Sequence, residues 1–178
     1  MKDRLVELLR ELSVKTGHFV LASGRESDLY VDARQTTLNA EGASLVGRLV
    51  AEKLHRDVVA VGGMTMGADP IATAASLAAF DAGRPVHAFL IRKNLKDHGT
   101  GRWVEGRASV PDGAAVCILE DTTTTGGSLL KAIERAEAAG LRVVQTLTVV
   151  DREEGAAERL QAAGYTLEAL VTRTELLA

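Results

Sequence analysis

A single cysteine, Cys117, in 178 residues leaves no partner for an intramolecular disulfide and no basis for a cysteine-built metal cage. It sits in an apolar stretch, where a buried, inert thiol is expected. Aromatic side chains are almost as scarce: one Trp, two Tyr and three Phe make up 3% of the chain. That argues against stacking platforms for single-stranded nucleic acid and leaves the core to Ala, Val and Leu. Neither sign of charge dominates. With 21 Lys and Arg against 24 Asp and Glu, the formal net charge is −3, so no field draws in nucleic acid or an anionic membrane. No apolar run nears the ~20 residues that span a bilayer. Met1 to Ser13 scatters three acids and three bases among its leucines, unlike a secretory leader, and we expect a cytoplasmic protein. Internal repeats and low-complexity linkers are missing too.

What remains is a chain that is 46% hydrophobic, the composition of one globular domain with a sizeable core. Leu5, Leu8, Leu9 and Leu12 predict an opening amphipathic helix over 4–14. Short extended pieces follow to residue 32, with a tight turn at Ser23-Gly24 and a strand candidate at 29–31. Beyond residue 40, helical and apolar segments alternate: helix 41–55, strand 58–61, helix 71–82, strand 86–91, strand 114–119, helix 129–139, strand 141–150, helix 153–163 and strand 165–171. This order predicts an α/β protein with a Rossmann-like parallel sheet and helices on both faces. The first 40 residues, a helix and a small hood, would cover the ligand edge of the 41–178 core. Ligands of such sheets bind outside the carboxyl ends of the strands, where the loops 62–70, 92–113 and 120–128 and Asp151-Arg152 would gather.

The most informative stretch is Val116 to Ser128. The run Val116-Cys117-Ile118-Leu119 reads as a strand buried on both faces. Glu120 and Asp121 follow, then Thr122, Thr123, Thr124, Thr125, Gly126, Gly127 and Ser128, and then an amphipathic helix. Converging backbone N–H groups, hydroxyls and a helix N-terminus make an anion site. It lacks the Lys of a P-loop and the spacing of a dinucleotide loop. Acids repel phosphate, so Glu120 and Asp121 must face hydrogen-bond donors such as vicinal sugar hydroxyls. Hydroxyls and phosphate side by side describe a ribose 5-phosphate. The plainer alternative is a helix cap with two solvated acids, though a cap needs one hydroxyl and this turn offers five.

A second constellation, Arg92-Lys93-Asn94-Leu95-Lys96-Asp97-His98-Gly99-Thr100-Gly101, packs four potential cations into a long polar loop. Alone it reads as a solvated loop. Beside a phosphate turn it suits a departing pyrophosphate, which needs neutralising charge and shelter from water.

The strand, acid pair and Thr/Gly turn resemble the phosphoribosyl pyrophosphate (PRPP) motif of type I phosphoribosyltransferases. Arg92-Lys93-x-x-Lys96-x-His98-Gly99 resembles the catalytic loop of the orotate phosphoribosyltransferase family. Phe19-x-Leu21-x-Ser23-Gly24-x-x-Ser27 and Asp151-Arg152-Glu153-Glu154-Gly155 are similar to two more of its segments. The resemblance implies transfer of ribose 5-phosphate from PRPP to orotate, with Mg²⁺ held mainly through PRPP rather than by protein ligands. It implies that Glu120 and Asp121 hold the ribose hydroxyls and that residues 122–128 hold the 5-phosphate. Thr124 and Arg152 would contact orotate. Arg92, Lys93, Lys96 and His98 would handle pyrophosphate, in a homodimer whose loops are shared between subunits. Lys96, His98 and Asp121 are the catalytic candidates. The plainer alternatives are a surface ion pair for Arg152 and an ordinary exposed imidazole for His98. Ala22 and Met66 stand where many members carry lysines, shifting charge neutralisation to the loop, backbone N–H groups and Mg²⁺. Transfer to a purine or uracil, or a non-catalytic regulator on the same fold, are the competing functions.

Overall fold

Apolar side chains at helical spacing fold the first segment into α1 (Lys2–Leu12), which buries Leu5, Leu8 and Leu9. The computed structural model describes residues 1–20, 26–94 and 103–178. Strands β1 (Val14–Val20) and β2 (Glu26–Val31) pair antiparallel as a separate two-stranded sheet. A short helix, α2 (Arg34–Thr37), turns the chain into α3 (Ala40–Lys53). The Asn39 side chain caps α3 by accepting hydrogen bonds from the Glu41 and Gly42 N–H groups.

The core is a sheet built from β3 (Ala60–Met64), β4 (His87–Ile91), β5 (Val104–Glu105), β6 (Ala115–Thr123), β7 (Arg142–Asp151) and β8 (Leu167–Thr172). Its spatial order is β5-β4-β3-β6-β7-β8, and every pair is parallel except β4 with β5. Helices α4 (Ala68–Asp81), α5 (Gly127–Ala138) and α6 (Ala156–Ala162) make the crossovers, and α7 (Arg173–Leu177) follows β8.

Alternation along β6 divides the core. Cys117 and Leu119 join Val46, Val50, Ala72 and Ala75 of α3 and α4 on one face. Val116 and Ile118 join Leu129, Ile133 and Leu160 of α5 and α6 on the other. Each fully buried Leu, Ile or Phe contributes about 1.5–3 kcal/mol relative to exposure. Leu5 and Leu9 of α1 and Leu29 and Val31 of β2 belong to the first cluster as well, so α1 and β2 are both anchored in the core, with the β1–β2 hairpin as a sheet of its own. No helix among the described residues is long and apolar enough to cross a membrane.

Three boundaries differ from the sequence expectation. Strand β3 does not stop at Val61 but runs through Gly62 and Gly63 to Met64. The glycines are there because the strands crowd: a Cβ on Gly63 would lie 2.0 Å from the Leu119 carbonyl oxygen. Strand β6 likewise continues through both acids to Thr123. The polar stretch 92–113 holds β5 and a 3-10 turn at Arg107–Ser109, and β5 makes the sheet mixed rather than purely parallel.

Candidate active site

The chain leaves β3 toward β4 on one side and β6 toward β7 on the other, so the order reverses between β3 and β6. A crevice opens at the carboxyl ends of strands on either side of such a reversal. Two adjoining chambers lie there, sharing Glu120, Thr122 and Ser128.

The smaller, about 100 Å³, is lined by Thr122, Thr123, Thr124, Thr125, Gly126, Gly127 and Ser128 with Glu120 and Leu129. Gly126 adopts φ of 76°, and no side chain caps α5. The first-turn N–H groups of α5 are therefore left for a ligand. The Oγ1 atoms of Thr122 and Thr123 are buried without hydrogen bonds among the described residues. Unfilled donors around a small concavity fit one phosphate. Arg159, which the sequence reading passed over, reaches the rim and donates to the Thr125 carbonyl at 3.4 Å.

The larger chamber, about 270 Å³, is walled by Tyr30, Asp32 and Arg34 from the hood side, by Met64–Gly67 after β3, and by Lys93, Glu120 and Asp121. Pleating sends the two acids to opposite sides of β6. Glu120 is 7% exposed, and its Oε2 has no hydrogen-bond partner among the described residues. Burial, reinforced by the neighbouring Asp121 charge and opposed by Lys93, pushes the Glu120 carboxyl up to about 8. Asp121 accepts from the Thr122 N–H at 2.8 Å. Asp32 feels a burial penalty, but hydrogen bonds from Arg34 and Gln35 outweigh it and hold the carboxyl below its ordinary range.

A Cβ placed on Gly67 would stand 2.7 Å from Asp121 Oδ1. Gly67→Ala should therefore displace this carboxylate at a cost to folding of about 1 kcal/mol or less. Misplacing a positioning group is expensive, so kcat/KM for the sugar-phosphate substrate should fall about tenfold or more. Wild-type kinetics together with an unchanged melting temperature would mean that the Asp121 position is unimportant.

The other sequence candidates are placed as follows. Arg92 forms a 3.0 Å ion pair with Glu105 on the β4–β5 hairpin, and its carbonyl accepts from Arg135 at 2.6 Å. Arg152 is buried behind β2, with Nη2 2.7 Å from Glu154 Oε1 and 3.1 Å from the Leu29 carbonyl. Neither arginine lines the two chambers. Lys96, His98, Leu21, Ala22, Ser23 and Gly24 lie outside the described residues. Met66 lines the larger chamber and is exposed. Sequence alone does not single out Tyr30, Asp32 and Arg34 as site residues, although Tyr30 in β2 and Asp32 just beyond its end stand two positions apart, the spacing that puts side chains on one face. A hollow of about 730 Å³ lies elsewhere, between Trp103 and the end of α5. It has neither the acid pair nor the phosphate turn.

Comparison with known proteins agrees with this geometry. Residues 34–166 match the phosphoribosyl transferase domain family. The orotate phosphoribosyltransferase of Sorangium cellulosum is 48% identical over 178 residues, covering 99% of this chain and 93% of the relative. The crystal structure of the Mycobacterium tuberculosis orotate phosphoribosyltransferase with PRPP superposes with a TM-score of 0.83 at 40% identity, covering 99% of each chain. A Corynebacterium diphtheriae phosphoribosyltransferase gives a TM-score of 0.86 at 42% identity, over 99% of this chain and 98% of that one. With a matching domain over most of its length and a near-full-length relative at 48% identity, this chain belongs to the orotate phosphoribosyltransferase family.

Proposed function

We infer that this chain transfers ribose 5-phosphate from PRPP to orotate, yielding orotidine 5′-phosphate and pyrophosphate, as a cytoplasmic, Mg²⁺-using homodimer. The observation that carries the reading is the acid pair at the end of β6 beside a chamber of unfilled donors. The small chamber takes the 5-phosphate on the α5 N–H groups and threonine hydroxyls. Glu120 and Asp121 accept from the ribose hydroxyls. The anomeric carbon then faces the larger chamber, which receives pyrophosphate.

Attack by the ring nitrogen as pyrophosphate leaves builds oxocarbenium-like charge on the sugar, as in glycoside cleavage. The work of the protein is to hold the reactants in line and neutralise the departing group. Lys93 lines the chamber, and Lys96 and His98 follow it in sequence as further pyrophosphate-directed groups. Among the described residues no three His, Cys, Asp or Glu side chains converge as a metal cage. The carboxyl groups of Asp32, Glu120 and Asp121, all lining the larger chamber, instead fit a cation carried mainly by substrate oxygens. Bound there, Mg²⁺ would neutralise pyrophosphate charge. Leu77 and Phe80 form an exposed apolar row on α4, a suitable face for the partner subunit.

Loss of orotate ultraviolet absorbance with PRPP and Mg²⁺, but not with purines or uracil in its place, tests the function. For base recognition, Arg152 and Thr124 are the proposed contacts; Thr124 lines the smaller chamber and Arg152 neither, so the base would lie beside the chambers, toward the carboxyl end of β7. Arg152→Ala should raise the orotate Michaelis constant about tenfold to hundredfold and leave PRPP binding nearly unchanged, since a bond to a charged group is worth roughly 1.5–3 kcal/mol. Normal orotate kinetics in a less stable variant would leave Arg152 as a strut between β2 and Glu154.

A further inference from the structure

The larger chamber has a charge problem. Under the function proposed above it must accept pyrophosphate, the most anionic part of PRPP. Yet its lining carries the carboxylates Asp32 and Asp121 beside the Glu120 carboxyl, and the residue at the tip of the Thr65–Gly67 turn is the uncharged Met66. Only two described cations line the chamber, Lys93 and Arg34.

Arg34 opens α2 where the chain leaves the hood. Its Nε donates to Asp32 Oδ1 at 2.9 Å, and the side chain makes no other hydrogen bond among the described residues. The side chain is 45% exposed. Asp32 is braced in turn by the Gln35 amide at 3.2 Å. The acid thus grips the inner edge of the guanidinium and leaves the two terminal nitrogens, the pair that engages phosphate bidentately. Asp32 chiefly, and Asp121 from farther off, hold the guanidinium in its charged form. Arg34 lines the same chamber as the two acids assigned to the ribose, Glu120 and Asp121.

We propose that Arg34 binds the pyrophosphate arm of PRPP, steadied by Asp32. The assignment rests on the reading of this chain as a PRPP-using enzyme. The 5-phosphate is provided for by the α5 turn, whose chamber Arg34 does not line. With the ribose over Glu120 and Asp121, which both line the larger chamber, the substituent on the anomeric carbon enters that chamber, whose described cations are Arg34 and Lys93. Arg34 thereby supplies a fixed positive charge beside Met66. The competing role is a splint between Asp32 and α2, and an exposed ion pair of that kind contributes little to stability.

The experiment is calorimetric titration of the full chain, in Mg²⁺, with three probes: PRPP, inorganic pyrophosphate and ribose 5-phosphate. Arg34→Ala should weaken PRPP and pyrophosphate alike, by about tenfold to hundredfold, and leave ribose 5-phosphate unchanged. Arg34→Lys keeps the charge without the fork and should recover part of the loss. It also serves should the alanine variant fold poorly by melting temperature. Unaltered pyrophosphate affinity, an equal loss for ribose 5-phosphate, or a defect confined to the orotate Michaelis constant would each overturn the assignment. Failure of the underlying function shows separately, as wild-type protein that does not bind PRPP.

Discussion

Mixed in equal amounts and allowed to exchange subunits, the Lys96→Ala and Asp121→Asn proteins should regain about a quarter of wild-type activity. Each variant alone should be nearly inactive, because losing one electrostatic contact to a developing charge typically costs on the order of 10²–10³ in rate. Asp121 lines the larger chamber of its own subunit. If the segment carrying Lys96 serves the neighbouring subunit, a mixed dimer has one site with both defects and one with neither. Half of the dimers are mixed and half of their sites intact. If the segment serves its own subunit, every site keeps one defect. Verified exchange without recovery would therefore end the shared-site proposal.

Glu120→Gln should remove a pH dependence from folding and weaken PRPP binding at the same time. The carboxyl is raised from an ordinary value of 4.5 to about 8, chiefly by burial. In the unfolded chain it loses its proton near 4.5, whereas the folded protein keeps it up to about 8. Across that window the folded state binds more protons, so this contribution to stability falls as pH rises and levels off above 8. The loss is on the order of a few kcal/mol at one to two pH units above 4.5 and larger beyond. Glutamine carries no such proton, and its variant should lack this decline. Denaturant unfolding at pH 5.5 and 8 measures the difference; equal slopes in wild type and variant would refute it. The ribose hydroxyls need an acceptor, so PRPP binding below pH 8 should release a proton, read by calorimetry in buffers of different ionisation enthalpy.

The parts of this fold that were legible in the sequence are those where one local pattern dominates. Val116–Leu119 announces a buried strand by its apolar run, and the hydroxyls of 122–128 announce the turn that lines the smaller chamber. Strand β3 was cut short because Gly62-Gly63 reads locally as a breaker. Its cause lies across the sheet, in the close approach of Phe89 and Leu119. Strand β5, at two residues, carries no period to detect. The partner of Arg152 at Leu29 is 123 positions away, and such a contact leaves no mark on either segment. Arg34 looks like any surface arginine until the hood brings it to the mouth of the crevice.

If the chain pairs as proposed, the closure of the β4–β5 hairpin limits how the two subunits can be arranged. The Arg92 N–H donates to the Trp103 carbonyl at 2.9 Å, the Arg92 guanidinium pairs with Glu105, and Arg135 braces the clamp by stacking on Trp103 3.9 Å from the ring centroid. Both ends of the segment 93–102 are thus tied to one spot. A closed run of ten residues can extend at most about half its contour, roughly 17 Å, from its root. A partner chamber beyond that radius plus one side-chain length would be out of range of its cations. Helix α4 packs against β3 and β4, so pairing through Leu77 and Phe80 brings the second subunit to the same half of the sheet from which this tether springs. Tether length and dimer face constrain each other: a longer segment would tolerate many pairings, and this one tolerates few.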